Sequence, residues 1–242
     1  MVRHTRAVSC GLAMLLLLYA APARSTPLLP GDIGIVPTAL GPVASIGTPT
    51  VVFDSGQLSF SFGPAGQQVS VKFGETIIRD PFAPLFGCGA NCLDFVLEAQ
   101  LTGGPAGATT LLTSVSMNTF GTSAVDVGWL QVLNHPTWVA PTAADRGPLG
   151  DVVSFDFAPG IPIGAGFDTS HVLVIRTDRT SFSPQDFVGF SATESFASGL
   201  TLTPSGLFSV QTQPVPEPSS MMLVAGGAVI GALRKRRRTA KP

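Results

Sequence analysis

The sequence is short of charge, histidine, cysteine and tyrosine, and each shortage closes off a class of function. Asp, Glu, Lys and Arg make up 12% of the 242 residues, about half of what globular chains carry. From Arg24 to Gln213 there are 6 Lys and Arg against 14 Asp and Glu, a net of −8. A segment with that balance lacks the basic face that nucleic-acid phosphates need, which speaks against DNA or RNA as a partner. Only 3 histidines occur. No His-Glu-x-x-His, no Gly-x-Ser-x-Gly elbow, no phosphate-cradling glycine loop and no closely spaced Asp/Asn calcium loop is present. We therefore expect no catalytic residue, no metal, no cofactor and no enzymatic activity. No repeat of fixed period appears, so a propeller or solenoid is not supported. A 3.6-residue apolar pattern is likewise missing between the two ends.

What is abundant is Gly (27) and Pro (21), which punctuate a series of short alternating stretches. Leu58, Phe60 and Phe62 alternate with Ser59 and Ser61, and Val69, Val71 and Phe73 alternate with Ser70 and Lys72. Two half-buried antiparallel strands joined by Gly63-Pro64-Ala65-Gly66 are predicted. Further strands are predicted around Leu93–Leu101, Val115–Met117, Val125–Trp129, Val153–Phe157, Phe187–Phe190 and Leu200–Leu202. His171–Thr177 is apolar on both faces at its centre and should be a central strand. Nine or ten such strands imply a single antiparallel β-sandwich, of jelly-roll or Ig-like type. It is expected over residues 50–210, after an irregular Pro- and Gly-rich lead-in (24–49) with room for one edge strand.

Both ends read as delivery segments. Met1–Ala23 has Arg3 and Arg6, the apolar stretch Leu12–Tyr19 and the small-residue site Ala21-Pro22-Ala23, the order of a secretory signal peptide. Once it is removed with Cys10, Cys88 and Cys92 are the remaining cysteines, in an oxidising setting where a disulfide is the natural reading. Free thiols or a metal site are the alternatives, though structural zinc needs four ligands and the nearest histidine in sequence is His135.

Candidate binding residues are few. Trp129 falls on the apolar side of its strand and is expected in the core. Trp138, in a loop beside His135 and Pro136, is the candidate for stacking on a sugar. His135 reads as a loop residue and His171 as a strand-end residue. Carboxylates in the stretches Asp151–Asp156 and Asp168–Asp178 stand near strand ends, where calcium could be held if they clustered; solvated turn residues are the plainer expectation.

The far end carries the most specific signal. Val215-Pro216-Glu217-Pro218 closes a proline-bearing linker (211–218), since neither proline can continue a helix or strand. Residues 219–233 follow, 15 in number; as a helix they would reach roughly 22 Å, short of a bilayer core of roughly 30 Å. Then come Arg234, Lys235, Arg236, Arg237 and Arg238 in a basic tail (234–242), a cytoplasmic stop. This order resembles the PEP-CTERM sorting signal of exported bacterial proteins. The resemblance implies recognition by a membrane transpeptidase, the exosortase, a transient transmembrane helix over 219–233, cleavage near Pro216-Glu217-Pro218, and delivery to the cell surface or extracellular matrix. Looser similarity to passengers of such proteins runs through Val139–Arg146, Gly150–Phe157 and Ser170–Asp178, and implies a β-sandwich but no activity. The expectation is thus an exported structural or adhesive protein, flanked by a signal helix and a C-terminal membrane helix. A polysaccharide-binding module is the alternative, and a secreted glycosidase or esterase a distant third.

Overall fold

A computed structural model describes residues 24–42, 49–79, 86–133, 135, 137–163, 169–182 and 185–211. The signal segment, the sorting motif, the apolar stretch 219–233 and the basic tail lie outside the described residues. So do the two helices expected there.

Thirteen strands are present among the described residues: β1 (Thr26–Pro27), β2 (Thr38–Pro42), β3 (Thr50–Phe62), β4 (Val69–Arg79), β5 (Asp94–Gly103), β6 (Ala108–Asn118) and β7 (Val125–Gln131), followed by β8 (Ala143–Arg146), β9 (Val152–Pro162), β10 (Val172–Thr177), β11 (Gln185–Phe196), β12 (Thr201–Leu202) and β13 (Ser205–Gln211). They form two sheets. The first runs β1-β7-β10-β5-β4-β3, with β2 also on β7; the second runs β12-β11-β6-β9-β8, with β13 also on β11. All pairings are antiparallel except β2 with β7, which is parallel.

Period-two alternation explains why these segments are strands, since it gives each one apolar and one polar face. The predicted hairpin is present, with Phe62 opposite Val69, Phe60 opposite Val71 and Leu58 opposite Phe73. The predicted central strand β10 lies between β7 and β5, and Leu173 and Ile175 sit in the core. Inward residues of both sheets join one hydrophobic cluster. Phenylalanines bridge the two layers, the Phe73 and Phe190 rings meeting at 5.7 Å and Phe60 and Phe208 at 4.7 Å, and Phe95 meets Phe120 of the β6–β7 loop at 5.3 Å. Such rings bury large apolar area and gain a further increment, about 0.5–1.5 kcal/mol per pair, from offset and edge-on contact.

Two expectations need correction. The lead-in is not wholly irregular, because β1 and β2 both pair with β7; its prolines are accommodated because they stand at a sheet edge. Trp129 is not part of the core cluster. It is half-buried, and its ring stacks on the imidazole of His171 at 4.9 Å. Alternation placed it on the correct side of β7, opposite Leu173, but near the end of the strand that side runs out of covering core.

Two buried arginines are answered by nearby acceptors. Arg146, 3% exposed, donates to four backbone carbonyls: Nε to Gly150, Nη1 to Leu28, and Nη2 to Gly121 and Ser123. It thereby ties the lead-in, the β6–β7 loop and the β8–β9 turn together. Burial draws its pKa down, while the nearby charges of Asp178 and Asp32 act in the opposite direction. Arg176 on β10 pairs with Asp94 on β5 at 3.3 Å, with both side chains nearly buried.

Candidate functional site

Cys88 and Cys92 form the expected disulfide, with Cα atoms 5.3 Å apart. A 3₁₀ turn, Gly89–Asn91, brings them together, and the Cys92 amide donates to the Gly89 carbonyl. The pair staples the entry to β5 and leaves its sulfurs out of any metal site.

Trp138 lies in the loop between β7 and β8 and is half-buried. Its amide donates to the His135 carbonyl at 3.1 Å, closing a turn, and the two rings stack at 4.5 Å with 22° between planes. One face of the indole is therefore already covered by the imidazole. The loop is fastened to the first sheet, since the Val139 amide donates to the Thr169 carbonyl and the His171 amide to the Val139 carbonyl. The charge of His135 reaches Glu98 on β5, where it opposes the upward pull of burial on that carboxyl. His171 itself is buried, which lowers its pKa, and its Nδ1 lies 3.5 Å from the Val132 amide as acceptor. It closes the end of a sheet rather than facing a cleft.

Glu98 belongs to a shallow depression of about 250 Å³ on the outward face of β3, β4 and β5. Its wall includes Lys72, Gln100, Thr76 and Gln57. Their common direction follows from register: Lys72 is opposite Gln100, Gly74 opposite Glu98, Thr76 opposite Val96, and Gln57 opposite Gly74. The sequence reading passed over this group because its members are ordinary outward polar residues, and only pairing register brings them together. A glycine, Gly74, at an outward position in the middle of a regular strand was the one local sign.

The candidate carboxylates do not converge on a cation. Asp178 accepts from the Ala124 amide at 3.1 Å, whereas Asp156 on β9 shares a hydrogen bond with Asp145 on β8. Burial, the Asp145 charge and that hydrogen bond raise the Asp156 pKa to about 6. Asp145 also accepts from the Gly34 amide at 2.5 Å. Among the described residues no group of three or more His, Cys, Asp or Glu is placed to hold a metal; Asp168 lies outside them.

The last described strand ends at Gln211, a few residues before the proline motif. Residues 214–238 match the PEP-CTERM protein-sorting motif. The PEP-CTERM motif marks the chain as an exported protein handled by the exosortase, with a transient C-terminal membrane anchor. No curated protein and no solved structure gives a significant match to the chain.

Proposed function

We propose that this protein is an exported passenger that the exosortase cuts near Val215-Pro216-Glu217-Pro218 and delivers to the cell surface or extracellular matrix, where a non-catalytic β-sandwich serves a structural or adhesive role. The observation that carries the reading is the ordered motif, with its five basic residues Arg234, Lys235, Arg236, Arg237 and Arg238, placed directly after a disulfide-stapled two-sheet domain. The short apolar stretch 219–233 would hold the chain in the membrane until the cut, with the basic tail retained on the cytoplasmic side. Mass spectrometry of the protein from its host, with and without the exosortase, tests it. A new C-terminus near Pro218 that disappears without the enzyme is expected; an intact peptide running through Arg238 in the wild-type host would refute it.

A second reading, polysaccharide binding, is favoured by the indole of Trp138, which stacks on His135, whose charge in turn acts on Glu98. Aromatic faces fixed in this way present apolar area at little entropic cost. A glycan pull-down with the exported protein and with Trp138→Ala tests that reading; equal retention of both proteins would remove the role of Trp138.

A further inference from the structure

The residue at the floor of the depression on the outer face of the first sheet is Gly74, where neither the backbone angle nor the space for a side chain demands a glycine. Its φ is not in the left-handed range. A Cβ built on it would meet only the Gly56 carbonyl oxygen, at an ordinary 3.7 Å. Glycine inside a strand usually costs about 0.5–1 kcal/mol against a residue with a side chain, and such a position often marks a bulge or a close approach by a ligand or another backbone. The missing side chain leaves a pit in the middle of a pleated surface. Beside it, β3 carries a register shift between Asp54 and Gln57, where the Gly56 amide donates to Asp54 at 2.9 Å and the Glu75 amide to Ser55 Oγ at 2.9 Å. Bulges of this kind re-aim side chains next to binding sites, and this one forms one wall of the pit.

We propose that the pit over Gly74 binds one sugar unit of an extracellular polysaccharide, with Lys72, Gln100, Gln57, Thr76, Asp54 and Glu98 around it. The proposal rests on the polysaccharide reading above and moves its centre from Trp138 to the sheet. The chemistry of the wall selects this ligand class. Lys72 donates only, Asp54 accepts only, and the Gln57 and Gln100 amides and the Thr76 hydroxyl do both. Sugar hydroxyls also donate and accept, so they match a mixed wall. A compact anion would meet Asp54 and Glu98, and a compact cation would meet Lys72. Val96 and Val172 add an apolar margin that suits the C–H face of a pyranose. The volume of about 250 Å³ falls below the roughly 300–1,000 Å³ of pockets that enclose drug-sized ligands. One ring fits, with its neighbours lying along the open surface.

The test uses the exported protein purified from its host, the host's purified extracellular polysaccharide as probe, and co-sedimentation as readout. Gly74→Leu fills the pit, and Lys72→Ala removes a donor without filling it. Each should weaken binding about tenfold or more, the scale of one lost charge-assisted hydrogen bond, with the thermal transition unchanged within a few degrees. Wild-type binding that both variants retain, while Trp138→Ala loses it, would overturn the pit and leave the polysaccharide reading standing. Absence of binding by the wild-type protein would remove both. If Gly74→Leu failed to fold, Lys72→Ala alone would decide between these outcomes.

Discussion

The loop knot around Arg146 and the sheet face around Gly74 use polar groups in opposite ways. At the knot, a buried guanidinium spends four donor contacts on carbonyls of three separate segments. On the sheet face, six polar residues surround a pit on the exposed side of a ladder whose backbone is already paired. The glycines differ in the same sense. Gly150 has φ +76° and its absent Cβ would run into the Gly121 carbonyl oxygen, so both conformation and space demand glycine; Gly74 is demanded by neither. At the knot the polar groups are consumed by folding, whereas the void over Gly74 is required by neither conformation nor space.

The largest expected effect is at the knot. Arg146→Met keeps most of the volume but strands the carbonyls of Leu28, Gly121, Ser123 and Gly150. Each buried orphan costs about 1–3 kcal/mol, less what water recovers, so a loss of about 4 kcal/mol is expected. Denaturant unfolding at equilibrium checks it; a loss below about 1 kcal/mol would mean that the loops do not depend on the guanidinium. Gly150→Ala should cost less, about 1–3 kcal/mol, from the strained backbone and the close carbonyl. Neither variant should alter polysaccharide binding per folded molecule.

Strands with strict alternation were legible without coordinates, as the β3–β4 hairpin and β10 demonstrate. No strand was predicted over Val139–Arg146, yet Ala143–Arg146 is β8 and pairs with β9. Its period-two pattern carries Ala144 and Arg146 as the buried residues, an alanine and an arginine where apolar bulk was sought. An inward arginine is intelligible only once the carbonyls it serves are in view. β13 was missed for a related reason: Gly206 and exposed Leu207 blur its alternation. The sorting motif was legible because it is linear chemistry, a fixed order of proline, acid, apolar and basic residues. The pit was not, because it exists only across three strands.

A smaller effect is expected on the second sheet, where Asp145 and Asp156 form a carboxyl pair that neither region resembles. With its folded pKa raised to about 6, Asp156 holds its proton more tightly than in the unfolded chain, whose value is near 3.8. The stability this contributes is complete below about pH 3.8 and declines as pH rises toward 6, since ionisation then sets two negative charges side by side. Asp156→Asn keeps a donor for Asp145 at all pH values. It should raise stability above pH 6 by on the order of 1 kcal/mol, discounted for partial exposure, and flatten the decline between pH 4 and 6. A slope identical to wild type in thermal melts across that range would show that the pair does not share a proton.

The smallest effect on stability, and the sharpest on the comparison, belongs to Gly74→Ala. A methyl group there has room and an unstrained backbone, and it lowers the entropy of the unfolded chain, so stability should rise by about 0.4–1 kcal/mol. The same substitution at Gly150 should fall on the other side of zero. If Gly74→Ala were instead destabilising by more than about 1 kcal/mol, the strand itself would require the glycine, and the pit would be a by-product of folding. If stability rises while polysaccharide binding weakens, the chain carries at position 74 a residue that folding alone does not favour. Measuring the two quantities on one variant separates these cases, because a structural glycine and a recognition glycine predict opposite signs for stability.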